Sequence, residues 1–261
     1  MTLNKSLVAL CFTAGITAAF ADDASTAANT GMTTVLKYPW EHSVSAGVTL
    51  TRGNSQTALF TADFTATKKT PVNEYLFGLA GAYGNNSSVD TVNNYKGSAQ
   101  WNHLFNERLY GYVLGAALRD VIQNVDYRIN VGPGIGYYFI KDKMTYLAGE
   151  AGLGYEAEHL NGSVVGGVNQ PGKDESFATV RLADRFEHKF NDHARLWQTA
   201  EILPQIDKFD NFIVNFEIGV ETSVTKSVTL KTYLDDNYQK IPAAGKLKND
   251  IKIVAAVGYK F

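Results

Sequence analysis

Few residues in this chain have a spacing that could support catalysis, but many alternate in a way that could build a charged passage. Five histidines, His42, His103, His159, His188 and His193, are scattered along it. None makes a close-spaced pair of metal-ligand type. His188 and His193 could meet across a turn, where solvation is the simpler role. A hydrolase acting on lipid from within a membrane would need an outward histidine with a neighbouring serine. Alternation places only His188 outward, beside an inner turn, so no catalytic residue, metal or cofactor is expected and the chain reads as a non-enzyme. Cys11, the one cysteine, lies in an N-terminal apolar segment. The processed chain would have no disulfide and no thiolate chemistry.

Charge is the chemistry that remains. Lys96, Arg128, Glu150, Glu156, Glu158, Arg181, Arg185, Glu217, Glu221, Lys231 and Asp235 fall on the polar faces of alternating segments, with Asp63 and Lys252. Two arrangements follow. These residues could line a polar, water-containing lumen that orients solutes. They could instead pair into a salt-bridge network that closes the interior. The acidic Glu150, Glu156 and Glu158 and the basic Arg181 and Arg185 belong to neighbouring segments, so partial pairing is expected. The formal net charge is −2, and no basic excess points to nucleic acid.

The elements that must position these charges are strands. The last segment sets Ile251, Ile253, Ala255, Val257, Tyr259 and Phe261 against Lys252, Val254, Ala256, Gly258 and Lys260, a period of two. The first, about His42 to Thr51, sets Val44, Ala46, Val48 and Leu50 against Ser45, Gly47, Thr49 and Thr51, and a tight Arg52-Gly53-Asn54-Ser55 turn leads into a second strand, about Gln56 to Lys68. A third clear case sets Ile129, Val131, Ile135, Tyr137 and Phe139 against Arg128, Asn130, Gly132, Gly134 and Gly136, with Pro133 expected to mark a bulge. In the segment that carries Arg181 and Arg185, Asp184 falls among the apolar positions. About twelve such strands fit, each long enough for the roughly 9–11 residues of a tilted membrane strand. After residue 21 no apolar run reaches the roughly 18 residues of a helical span. The fold expected is all-β: a closed antiparallel transmembrane β-barrel.

The N-terminus reads as a signal peptide over residues 1–21. Lys5 gives the positive start, Ser6 to Ala18 the apolar stretch, and Ala19-Phe20-Ala21 the small-x-small cleavage site. A membrane anchor would need about 20 apolar residues, more than this stretch has. Residues 22–40 read as a periplasmic tail rich in Ala and Thr, and residues 41–261 as the barrel. Short connections (Lys69 to Asn73, Asn106 to Arg108, Lys141 to Lys143, Asn191 to His193, Thr225 to Ser227) alternate with longer ones (Asn85 to Asn93, Arg119 to Asp126, His159 to Asp174, Pro204 to Asn211, Pro242 to Lys248). Transmembrane barrels show that asymmetry, short inside and long outside. Beside the short turns stand Tyr75, Phe77, Trp101, Phe105, Tyr110, Tyr112, Tyr137, Phe139, Tyr146, Phe186, Phe190, Trp197, Tyr259 and Phe261, expected as an aromatic girdle. Acids of the outer connections could bridge lipopolysaccharide through divalent cations, although solvated loop charge is the commoner explanation.

Trp40 followed by Ser45-Ala46-Gly47-Val48-Thr49-Leu50-Thr51-Arg52-Gly53-Asn54-Ser55, then Leu153-Gly154-Tyr155-Glu156 and the terminal Gly258-Tyr259-Lys260-Phe261, resemble the YdiY-like family of salt-induced outer-membrane proteins. The resemblance spans roughly Trp40 to Phe261. It departs at Arg52, where a small residue is expected. It implies a barrel in the outer membrane of a Gram-negative envelope and brings no substrate or catalytic residue. Gly258, Tyr259 and Phe261 resemble the terminal signal read by the barrel assembly machinery. The partners expected are that machinery, periplasmic chaperones, and outer-membrane lipid with lipopolysaccharide. Two functions remain open: a narrow passive channel for small polar solutes or ions, and a closed structural or envelope-stress barrel that binds surface partners through its outer loops.

Overall fold

In the computed structural model, which describes residues 38–51, 57–87 and 89–261, strands dominate. They are β1 (Trp40–Thr51), β2 (Thr57–Lys69), β3 (Asn73–Asn86), β4 (Val89–Leu104), β5 (Leu109–Asp120), β6 (Val125–Lys141), β7 (Thr145–Leu160), β8 (Ser163–Val165), β9 (Val168–Gln170), β10 (Lys173–Lys189), β11 (Ala194–Gln205), β12 (Lys208–Ser223), β13 (Val228–Gln239) and β14 (Asn249–Lys260). Twelve of them form a closed barrel in the order β1-β14-β13-β12-β11-β10-β7-β6-β5-β4-β3-β2. β8 and β9 make a small separate hairpin within the longest connection. The barrel closes where β1 pairs antiparallel with β14, Ser43 opposite Lys260 and Ala46 opposite Val257. His42 and Phe261 exchange backbone hydrogen bonds of 3.3 and 3.2 Å at the seam. The signal peptide, the tail up to residue 37 and the Arg52-Gly53-Asn54-Ser55 turn lie outside the described residues.

The polarity of the barrel is inverted relative to a water-soluble domain. Leu79 is 62% exposed and Ile253 67%, whereas Glu156 is 1% exposed and Glu221 2%. Period-two alternation produces this directly, because one face of every strand points out and the other in. Leaving so much apolar surface in water would be unfavourable by about 25 cal/mol per Å². Hydrocarbon around the barrel removes that penalty, as a transmembrane barrel requires.

Three expectations are corrected. Pro133 makes no bulge: the β5–β6 register runs unbroken through Val113 opposite Pro133. The irregularities on β6 fall between Val125 and Tyr127 and between Tyr138 and Ile140, as register shifts against β7. Several outer connections are also shorter than expected. β3 and β4 run to Asn86 and from Val89, and β11 and β12 approach to Gln205 and Lys208, because polar residues continue the ladder, Asn85 opposite Asp90 and Gln205 opposite Lys208. The long connections are the one that carries β8 and β9 and the one between β13 and β14.

The aromatic girdle is the third correction. Phe77, Trp101, Phe105, Tyr137, Phe139, Phe190, Tyr259 and Phe261 are exposed on the outer wall. Tyr110, Tyr112, Tyr146 and Trp197 face inward instead. Both faces of β5 are apolar, so alternation gave no preference there.

Candidate functional site: a charged lumen

The interior is built from two unlike halves. Against β4 to β7 it is filled. Leu104, Tyr110, Tyr112, Leu114, Tyr138 and Ala148 form a buried cluster, with Tyr146 packed on it. Tyr110 and Tyr138 stand 4.7 Å apart between ring centroids. The rings fit because β6 presents glycine opposite them: a Cβ at Gly134 would run into Tyr112, and one at Gly136 into Tyr110. The inward glycines of β6 are the sequence signal for these tyrosines, since a strand of inward glycines needs large neighbours to fill the space.

Against β1 to β4 the interior is lined with small side chains. Ser43, Thr65, Gly78, Ser98 and Ala116 are successive partners across β1 to β5, so they share one level of the wall. Thr65 and Ser98 are exposed although alternation turns them inward. The next level is Ser45, Asp63, Ala80, Lys96 and Leu118. An inward side chain that remains exposed marks space open to water, and Lys96 keeps 49% of its side chain accessible.

The eleven charged residues assigned to the polar faces all turn inward, and most are paired. Arg181 forms the central junction. Its Nη1 lies 2.7 Å from Glu150 Oε2 and donates to the Tyr112 hydroxyl at 2.9 Å, while its Nε pairs with Glu201. Glu150 also accepts from Tyr110 and from Gln100, each at 2.8 Å. Nearer the outer rim Arg128 binds Glu158 at 2.7 Å and Glu156 at 3.4 Å, and its Nη2 reaches Gln239 at 3.1 Å. Lys231 sits 3.3 Å from Asp63, Glu217 accepts from Trp197 Nε1 at 2.7 Å, and Glu221 is held by Arg195 and Lys260. Arg185 faces Tyr146, Glu150, Tyr110 and Tyr138. The sequence reading missed Glu74, Arg195 and Glu201, and it placed Lys260 on the polar face of the last strand without naming it among the lumen charges. Glu74 accepts from Asn102 at 3.0 Å and from Tyr138, and Arg195, Trp197 and Glu201 recur at alternate positions of β11, which was the available signal.

Two of these contacts cross the lumen. Arg128 on β6 and Gln239 on β13 have β7, β10, β11 and β12 between them the short way round, and Lys96 on β4 and Asp235 on β13 have β3, β2, β1 and β14. The groups meet through the interior, and each contact is a bar across the passage.

The histidines need a further correction. His42, His103 and His159 lie on the outer wall with His188, because their strand neighbours Ser43, Asn102 and Glu158 face in. His42 stacks on Phe64 and Phe261, and His103 packs between Trp101 and Phe105. His159 Nδ1 lies 2.7 Å from Asp174 Oδ1 at the outer rim. Among the described residues, no serine hydroxyl hydrogen-bonds a histidine, and no cluster of three His, Cys, Asp or Glu is placed to hold a metal. Asp184 does stand on the outer wall. It lies in a depression of about 600 Å³ with Gly149, Ala151, Leu182, Ala200 and Ile202.

The model of a family described as "Protein of unknown function, DUF481" matches residues 44–261. A comparison with curated proteins found no match. Among solved structures, the chain is similar to the translocator domain of the autotransporter NalP from Neisseria meningitidis. That likeness has 12% identity, covers 86% of this chain and 87% of that one, and has a TM-score of 0.46. It is similar also to the NanC porin (7% identity, 85% of this chain and 98% of that one, TM-score 0.49). An outer membrane channel from Pseudomonas putida F1 is a third (9% identity, 86% and 95%, TM-score 0.47).

Proposed function

This chain belongs to the DUF481 family, and from that footing we propose that it is an outer-membrane barrel with a narrow passive channel for small polar solutes or ions. The observation that carries the reading is the open half of the lumen: inward Thr65, Lys96 and Ser98 stay exposed beside a wall of small side chains. Eight strands leave an interior that side chains fill, and sixteen leave an aqueous channel. Twelve strands with half of the interior filled by tyrosine fit a passage of small bore. The inverted polarity of the barrel supports a membrane site. The outer membrane follows because spanning barrels of this kind belong there, and it agrees with a signal peptide at residues 1–21. The resemblance to YdiY-like salt-induced proteins, and the partners expected from it, belong to the same proposal.

The second reading, a closed structural barrel, draws on the two contacts that cross the lumen. Single-channel recording separates the two. The processed chain, reconstituted in a planar bilayer, gives discrete conductance steps if the passage is open. Persistent silence contradicts the channel.

The carboxyl-terminal strand bears on assembly. Tyr259 and Phe261 point outward, 50% and 65% exposed, and Gly258 faces in against Thr229. If the assembly machinery reads this end, Phe261→Ala lowers the rate of membrane insertion in cells while the purified variant still folds in detergent. Equal insertion rates would remove Phe261 from that role.

A further inference from the structure

Lys96 holds an unusual position among the lumen cations. Its side chain leaves β4 half exposed, crosses the open passage and places Nζ 3.1 Å from Asp235 Oδ2 on the opposite wall. Asp235 already has a partner, since Lys252 on the adjoining strand lies 3.4 Å from the same oxygen. Lys231 likewise serves Asp63. The carboxylates that face the Lys96 ammonium are Asp235, Glu217 and Asp63. Without Lys96, three carboxylates would share two resident ammonium groups, Lys231 and Lys252. A tethered cation thus stands against a wall one positive charge short of neutrality. Lys96 keeps half of its side chain accessible and has one carboxylate partner, so this arm can be displaced, whereas Arg181, 11% exposed and held by two carboxylates, cannot be so easily.

We propose that Lys96 is the crossbar that sets both the bore and the charge preference of the lumen, and that its ammonium occupies the place where a permeating small cation binds the Asp63–Glu217–Asp235 wall. This rests on the channel reading and adds the solute class, small inorganic or amine-bearing cations. The same logic operates in pores whose rings of Asp and Glu select cations. A mobile cation that displaces the Lys96 arm meets the same oxygens.

The test is single-channel recording in planar bilayers under a KCl gradient, with the processed wild-type chain, Lys96→Met, Lys96→Arg and Asp235→Asn. Lys96→Met should raise the unit conductance about twofold or more and move the reversal potential toward K⁺. Lys96→Arg should stay close to wild type. Asp235→Asn frees the arm as well, so conductance should rise, but with the reversal potential moving toward Cl⁻ because a carboxylate is lost. The opposite signs separate a charge filter from general loosening of the barrel. Wild-type channels with unchanged conductance and reversal potential in Lys96→Met overturn the crossbar. A silent wild type with a conducting Lys96→Met upholds the crossbar and removes the passive open channel. Silence in every chain overturns both.

Discussion

Arg181 is the residue on which most of the interior depends. It compensates Glu150 and Glu201 and fixes Tyr112, while Tyr110 and Gln100 close the remaining valences of Glu150. Removing one partner of a buried pair leaves a charge uncompensated and costs about 3–5 kcal/mol. Arg181→Ala should therefore destabilise the barrel by about 3 kcal/mol, the lower end, because lumen water screens part of the loss. A shift in the urea midpoint of the protein folded into lipid vesicles measures this, and an unshifted midpoint refutes it. Asp184 argues in the other direction. Its carboxylate lies on the lipid-facing wall, where charge is unfavourable, so Asp184→Ala should stabilise the barrel by about 1 kcal/mol in the same assay. The eleven interior charges could be read from the sequence because polar residues recur at every second position. Glu74 could not, because β3 mixes apolar and polar residues on both faces, with Leu76 turned inward.

At the scale of the element, the lumen is shaped by the match between β5 and β6. The inward tyrosines of β5 occupy the space above Gly134 and Gly136, and the cluster that results fills one half of the barrel. A side chain at Gly136 must displace the Tyr110 ring and disturb its bond to Glu150. Overpacking of this kind costs about 1–3 kcal/mol. Gly136→Leu should fall in that range and be partly rescued by Tyr110→Ala, read by the same midpoint; an additive double variant would show that the two do not meet. The strands themselves were legible, β1 and β14 almost to the residue, because one apolar face and one polar face leave a single choice of register. β5 was legible as a strand but not in facing. Leu109, Val113 and Ala117 on one side are no more apolar than Tyr110, Tyr112 and Leu114 on the other, so only the glycines of the next strand decide. The outer connections were overestimated for a related reason. Asn, Asp and Ser read as loop residues in isolation, yet beyond the lipid a hairpin can continue with polar side chains on both faces.

The whole molecule rests on inverted polarity. A soluble barrel would bury Leu79 and Ile253 and expose Glu156 and Glu221, and here the order is reversed. The open half of the lumen, the crossing Lys96 arm and the paired charges have meaning only if hydrocarbon surrounds the outer wall. Heat modifiability on a denaturing gel, after refolding of the processed chain into phospholipid vesicles, tests this most directly. The account predicts that the unboiled protein migrates apart from the boiled one, since a closed barrel in lipid resists the detergent until heated. A chain that stays compact and soluble in buffer without lipid or detergent, and migrates identically before and after boiling, would contradict it.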